Sequence, residues 1–414
     1  MEKVAIITSG YFPVPASLGG AVENLDENIM KQNDIHNRMD LIVFSCYEKK
    51  SRELSKFYKN TKIIFVKTPR IFKVLDLLTY QLVKTFFKSR KSFSYRYIFQ
   101  RLHFINKVSK NLKNNDYDKL VIENHSTLFM VLKKYKNFEK YKNKYYYHLH
   151  NKVTKDYGCL EIISNCKKVI GVSNYINKTL HDFLGDDDKN EYVVLKNKVD
   201  SDKFGKKLTE NDQQSLLNKY DIQINDVVFL FTGRFTKEKG IKELLEAYKR
   251  INKTNTKLLV VGSLYYGSGM KDQFEEEMIQ LTKSLADNVK FTGFVSYDEI
   301  PSLYALADVV IIPSIWDDPA PLTVIEALTS GKSLITTYSG GIPEYADDKS
   351  SIILKRDENL IQNLALYMNK IANSKYMRDS LEKQVKEKTK NWNLSQYYLD
   401  FCDSIELDGG KNGL

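Results

Sequence analysis

Along the chain, short apolar runs alternate with longer segments whose apolar residues return every three or four positions. In the first half the runs are KVAIIT, MDLIVFS, KIIFVK, KLVIEN, KYYYHLH, KKVIGVS and EYVVLK. In the second half they are DVVFLFTG, TKLLVVG, NVKFTGF, DVVIIP, SLITTY and SSIIL. The segments between them are helical in period, as in Ile241, Leu244, Leu245 and Tyr248. Near-continuous apolar runs bounded by turns and separated by helices predict strands buried on both faces, hence parallel sheets built from βα units. The series breaks near LKNKVDSDKFGKK, which predicts two α/β domains in tandem, over residues 1–200 and 201–391, with a terminal segment over 392–414.

The length of 414 residues also favours two domains. The net charge of +11 is unevenly placed: residues 1–200 carry 36 Lys/Arg against 21 Asp/Glu, and the remainder 27 against 31. The two domains therefore face different surroundings. Residues 49–113 are the most basic, with 18 Lys/Arg and only Glu53 and Asp76 as acids. Cys46, Cys159, Cys166 and Cys402 show no metal-binding spacing and read as small buried hydrophobes of a reduced, cytoplasmic chain. The first apolar run is too short for a signal peptide, and no run is long enough to span a membrane.

In open parallel sheets, ligands sit at the carboxyl ends of the strands. Four loops there carry candidate chemistry. After the first strand, Gly19 and Gly20 precede a helix, as an anion site or a plain tight turn would. It is not GxGxxG, so a nicotinamide fingerprint is absent. His148 and His150 end an aromatic strand on one face. A zinc site would need a third ligand, and none stands nearby in sequence. His150, at the tip and followed by Asn151, suits a bond to a substrate hydroxyl or phosphate, while His148 reads as a packed core imidazole. GRFTKEKG sets Arg234 and Lys239 on one short loop, which suits either a diphosphate or a solvated basic surface. Finally, IWDDPAPLTVIEAL puts Asp318 before a helix start and Glu326 one turn inside it, with backbone N–H groups aimed between them. Gly340 and Gly341 supply a loop beside it.

Taken together, these motifs resemble the retaining glycosyltransferases of GT-B architecture, specifically glycosyltransferase family 4. That family shows two glutamates separated by seven residues, and Asp318 and Glu326 hold that spacing in DPAPLTVIEAL. Gly233-Arg234-Phe235 and Lys239-Gly240 resemble its "GRL…KG", and Gly20 and Glu23 its Gly-Gly-x-Glu. VSNYI at 172–176, then Asn197, Val199, Asp200 and Phe204, and FTGFVSYDEIPSLYALADVVIIPS follow in the family's order. Asp318 is one methylene shorter than the usual Glu, and Lys198 stands where the family has Gly.

The resemblance implies two Rossmann-like domains facing across a cleft. The first binds the acceptor, the second binds a nucleotide sugar, and a last helix after Trp392 crosses back to the first domain. It further implies a nucleotide diphosphate sugar as donor, UDP-sugar by preference, a saccharide or lipid-linked acceptor, and no metal or other cofactor. Arg234 and Lys239 would neutralise the departing diphosphate, Asp318 would hold a sugar hydroxyl, and His150 would bond the sugar or phosphate. Glu326 would take the ribose, and Phe294 and Val295 the base. Gly19, Gly20, Gly233, Pro321, Leu322 and Thr323 would line the donor. The alternatives are a nucleotide-sugar epimerase or hydrolase of the same architecture, or a non-catalytic partner subunit of that fold. In residues 69–113 apolar, aromatic and basic residues mix at helical spacing, as in a helix lying on an anionic membrane at the inner face of the plasma membrane, or a solvated helical face. No nucleic-acid-binding module is present, so a nucleic-acid partner is not expected.

Overall fold

The computed structural model describes residues 1–87, 97–252, 254–262, 273–283, 285, 287–293 and 295–407. The chain forms two compact units, Met1–Lys196 with Leu394–Leu414, and Asn197–Asn393.

The first unit is a seven-stranded parallel sheet of β1 (Lys3–Ile7), β2 (Asp40–Cys46), β3 (Thr61–Val66), β4 (Lys119–Glu123), β5 (Tyr145–Leu149), β6 (Lys168–Gly171) and β7 (Glu191–Val194), in the order β3-β2-β1-β4-β5-β6-β7. The second is a six-stranded parallel sheet of β8 (Val227–Thr232), β9 (Thr256–Val261), β10 (Val289–Gly293), β11 (Val309–Ile312), β12 (Ser333–Thr337) and β13 (Ser351–Leu354), in the order β10-β9-β8-β11-β12-β13. Each strand falls within one residue of a run picked out by the apolar pattern. β4 and β5 are buried at every position, as strands covered on both faces must be.

Strand order reverses between β1 and β4 in one sheet and between β8 and β11 in the other. At such a switch point the flanking loops diverge to opposite faces and leave a crevice at the strand ends. The loops after β1, β4, β8 and β11 are therefore where ligands can reach the backbone.

The last helix, Leu394–Ser404, belongs to the first unit. Its Tyr397, Tyr398, Phe401 and Cys402 form one buried face, packed with Leu25, Ile29 and Met30 of the Ala21–His36 helix. The Tyr398 hydroxyl donates to Asn33 Oδ1 at 2.6 Å, and the Tyr398 ring stacks on His36. Beyond the helix, Glu406 accepts from Lys168 at 3.0 Å and pairs with Lys167, tying the segment to β6. All four cysteines are free thiols.

Candidate active site

In the second unit, the loop after β8 runs through Gly233 and Arg234 to a single tight turn at Lys237–Lys239, then the helix Ile241–Arg250. Gly240 takes a left-handed φ of +70°, and a Cβ there would lie 1.9 Å from the Pro313 carbonyl oxygen. Only glycine lets this turn press against the end of β11. Ile315 N–H donating to Glu238 O at 3.0 Å joins the two loops. As a result Lys239 Nζ sits 2.5 Å from Asp318 Oδ2, with the side chains 18% and 8% exposed. Arg234 is exposed and makes no ion pair among the described residues.

A third loop shapes the Asp318 backbone. Gly340, after β12, has φ +50°, and a Cβ there would stand 2.4 Å from the Asp318 carbonyl oxygen. Gly341 N–H donates to that oxygen at 2.8 Å, and Gly340 N–H to Asp317 Oδ1 at 3.1 Å. Asp317 is also held by Arg356 Nη2 at 2.5 Å. The two adjacent acids thus have separate cationic partners, and Asp318 is the one directed to Lys239.

Pro321 precedes the helix Leu322–Thr329, with Leu322 and Thr323 in its first turn. Glu326 on this helix is buried. Tyr297 Oη donates to its Oε1 at 3.1 Å, and Tyr304 Oη lies 3.0 Å from its Oε2. Tyr304 is held in turn 2.7 Å from Thr232 Oγ1 at the end of β8. Burial pushes the Glu326 pKa up to about 7, against the two tyrosine hydroxyls, which pull it down. The tyrosines belong to a stretch that carried the family resemblance, but nothing local marked them as partners of Glu326. Val295 packs half-buried against the core of this unit, while Phe294 lies outside the described residues.

In the first unit, Gly19 closes a turn onto Ala16, and Gly20 is the N-cap of the Ala21–His36 helix. That helix directs Glu23 and Asp26 inward, and Ser9 Oγ after β1 donates to Glu23 Oε1 at 2.7 Å. Glu123 ends β4, in register with His148 on β5. Its Oε1 lies 2.9 Å from His148 Nδ1 and its Oε2 3.2 Å from His150 Nε2, with the two rings 4.2 Å apart. Burial alone would raise the Glu123 pKa, but the two imidazoles outweigh it and hold the carboxyl at about 2. His150 is pushed down to about 4, by burial and then by His148. Asp26 is pushed well above the carboxylate range by burial and by Glu123 and Glu23, and neither of its oxygens has a hydrogen-bond donor. A neutral Asp26 beside an ionised Glu123 is the stable arrangement of two buried carboxyl groups in contact.

Both histidines are legible in the sequence, but the acid between them is not, because Glu123 is 25 residues from His148 and joins it only through strand pairing. His148 is fully buried, as a packed core imidazole is, and is also hydrogen-bonded to Glu123. The three donor atoms lie within 4.8 Å of one another, a spacing a divalent ion can use. Each imidazole meets a different carboxylate oxygen, however, and the set as built is a hydrogen-bonded triad.

Two parallel sheets of Rossmann type, with polar loops at both switch points, define a protein of GT-B architecture. The fold is that of Anabaena HepE, solved in complex with UDP and glucose: TM-score 0.71 and 17% identity, over 98% of this chain and 100% of that one. Residues 212–392, in the second unit, match the family Glycosyl transferases group 1. Among curated relatives, the chain is 28% identical to the lipopolysaccharide 1,2-N-acetylglucosaminetransferase of Salmonella typhimurium, over 44% of this chain and 53% of that one. It is 24% identical to the alpha-monoglucosyldiacylglycerol synthase of Acholeplasma laidlawii, over 53% of each. These matches span about half the length of either relative.

Proposed function

We propose that the protein is a retaining glycosyltransferase. It moves a sugar from a nucleotide diphosphate sugar, in the first instance a UDP-sugar, to a saccharide or lipid-linked saccharide of surface polysaccharide, cell-wall or glycolipid assembly. The observation that carries this reading is the convergence of Lys239, Asp318 and Glu326 on the loops and helix that follow β8 and β11. The UDP and glucose bound to HepE, and the sugar-transfer names of the relatives, support the donor class.

The roles follow from charge. Lys239 exchanges Asp318 for the donor diphosphate, and Arg234 adds a second cation. The first-turn N–H groups of Leu322 and Thr323 donate to phosphate oxygens. Asp318, released from Lys239, accepts a sugar hydroxyl. Glu326 accepts the ribose hydroxyls, and Phe294 and Val295 lie against the base. Gly19, Gly20 and Gly233 let backbone approach the donor, and His150, whose Nε2–H is directed to Glu123, accepts a sugar hydroxyl at Nδ1.

In the transition state the anomeric carbon–phosphate oxygen bond breaks and leaves an oxocarbenium ion beside a diphosphate. Fixed cations and helix N–H groups stabilise that separation. The acceptor oxygen attacks the same face, and its proton passes to the leaving phosphate oxygen, so no protein nucleophile is required. A panel of UDP-, GDP-, ADP- and TDP-sugars, read by thermal shift and nucleotide release, tests the assignment. Stabilisation by none of them ends it.

The helix Arg70–Phe87 supports an anionic bilayer as the protein's working surface. It exposes Ile71, Val74, Leu77, Leu78 and Leu82 along one side. Its single acid, Asp76, is buried and accepts the N–H groups of Phe99 (2.8 Å) and Gln100 (3.1 Å) at the start of the next helix. The outward side is left apolar with Arg70 and Lys73 exposed, the chemistry of an interfacial helix. No helix of the described residues is long and apolar enough to cross a membrane. Sedimentation with phosphatidylglycerol vesicles should fall at least about ten-fold for Leu77→Glu/Leu82→Glu and weaken with salt. Equal sedimentation of variant and wild type would remove the helix from any membrane role.

A further inference from the structure

A cavity of about 230 Å³ opens in the first unit at the ends of β4 and β5. It is smaller than the roughly 300–1,000 Å³ of drug-sized pockets, and suits a small ion with its first substituent. Arg101, Lys152 and Lys155 line it, and no Asp or Glu does.

Arg101 is the unusual member. It is 9% exposed and makes no ion pair among the described residues. Its Nη1 donates to Tyr11 Oη at 3.0 Å and its Nη2 to the Ser9 carbonyl at 3.1 Å, both neutral acceptors. The guanidinium carbon lies 4.1 Å over the Tyr11 ring. Its Nε–H is buried with no partner, and so is Thr127 Oγ1 on the same cavity wall. Arg101 lies on the helix Ile98–Asn114, and the nine residues outside the described set that precede it, 88–96, contain no acid. A buried cation without an anion is costly. Two unused donors beside it, with two exposed lysines at the rim, fit an arriving oxyanion.

We propose that this cavity binds a phosphate group of the acceptor substrate. The idea rests on the glycosyltransferase reading and narrows its acceptor to a phosphate-bearing molecule. Arg101 Nε and Thr127 Oγ1 donate to the phosphate oxygens, and Lys152 and Lys155 close over them. The cavity adjoins His150, whose backbone N–H donates to Asn124 Oδ1 on the cavity wall at 3.3 Å. The phosphate therefore anchors the acceptor next to the proposed sugar contact.

The test is calorimetric titration of the full chain with inorganic phosphate after saturation with UDP, which fills the donor's own phosphate site. The expected result is phosphate binding that persists with UDP present and weakens at least about ten-fold in Arg101→Gln. Should Arg101→Gln not fold by circular dichroism, Lys152→Ala/Lys155→Ala, at exposed side chains, should weaken it several-fold. Dihexanoyl phosphatidic acid, below its micellar concentration, tells the two phosphate sources apart. Tighter binding than inorganic phosphate places the group on a lipid, and no gain places it on a soluble acceptor. Absence of phosphate binding in the presence of UDP, or equal binding by wild type and folded variants, overturns the proposal. Failure of UDP itself to bind strikes the donor assignment instead, and the Arg101→Gln comparison without UDP still reads the cavity.

Discussion

At the switch point of the second sheet, one cation and one anion meet, the partly exposed Lys239 and the buried Asp318. At the switch point of the first, Glu23, Asp26, Glu123, His148 and His150 meet behind buried surface. The topological place is the same, but the electrostatics differ. A one-to-one pair can separate when a ligand supplies a new partner for each member, so that neither charge is left buried alone. A buried group of three carboxyls and two imidazoles cannot, because removing one member leaves the polar atoms that faced it unsatisfied in low dielectric. On the proposed function, the second site exchanges partners with the donor, and the first holds His150 in one orientation. With Glu123 ionised, His150 Nε2 must carry the proton it donates, which leaves Nδ1 for a ligand.

The largest expected effect comes from breaking the exchangeable pair. Lys239→Ala should lower kcat by about 10²–10³, the loss typical of one preorganised charge-stabilising donor, with a cooperative melt retained. Nucleotide release from the preferred donor measures it, and full activity would remove Lys239 from the chemistry.

Breaking the buried group should instead act on folding. Glu123→Gln keeps the shape but satisfies only one imidazole, so unfolding by urea should show a loss on the order of 3 kcal/mol. The sign with pH follows from a carboxyl held at about 2 against an ordinary 4.5. Its stabilisation is present above pH 4.5 and is lost as pH falls towards 2, so wild type and variant should converge in acid. A difference that survives at pH 2 would assign it to packing.

Glu326 has the opposite sign. Its pKa is raised from 4.5 to about 7, so relative to Glu326→Gln the wild type should lose stability as pH rises from 4.5 to 7, then hold level. Ribose hydroxyls donate to the ionised form, and UDP should therefore bind tighter at pH 8 than at pH 6, by up to about ten-fold. Calorimetry at the two pH values checks this, and a slope unchanged in Glu326→Gln would place the titrating group elsewhere.

The smallest effect concerns Asp318→Glu, which adds one methylene and keeps the charge. Stability should change by less than about 1 kcal/mol, while the ratio of kcat/KM between donor sugars shifts. An unchanged ratio would mean that residue 318 does not touch the sugar.

Much of this molecule was legible without coordinates. The thirteen strands follow from apolar runs and the helices from their three-to-four-residue period, because burial on two faces or on one stripe is a local property of sequence. Arg234, Lys239, Asp318 and Glu326 stood out because each lies in a short stretch beside a strand end or helix start. What only the tertiary structure decided is which of these meet. Lys239 and Asp318 are 79 residues apart and touch because β8 lies beside β11. Glu123 stands between two histidines because β4 pairs with β5 in one register. Arg101 reaches the Ser9 carbonyl across 92 residues of chain. Apolar periodicity records that a strand is buried but not which strand lies beside it. Charges at strand ends therefore acquire their partners only when the sheet orders itself.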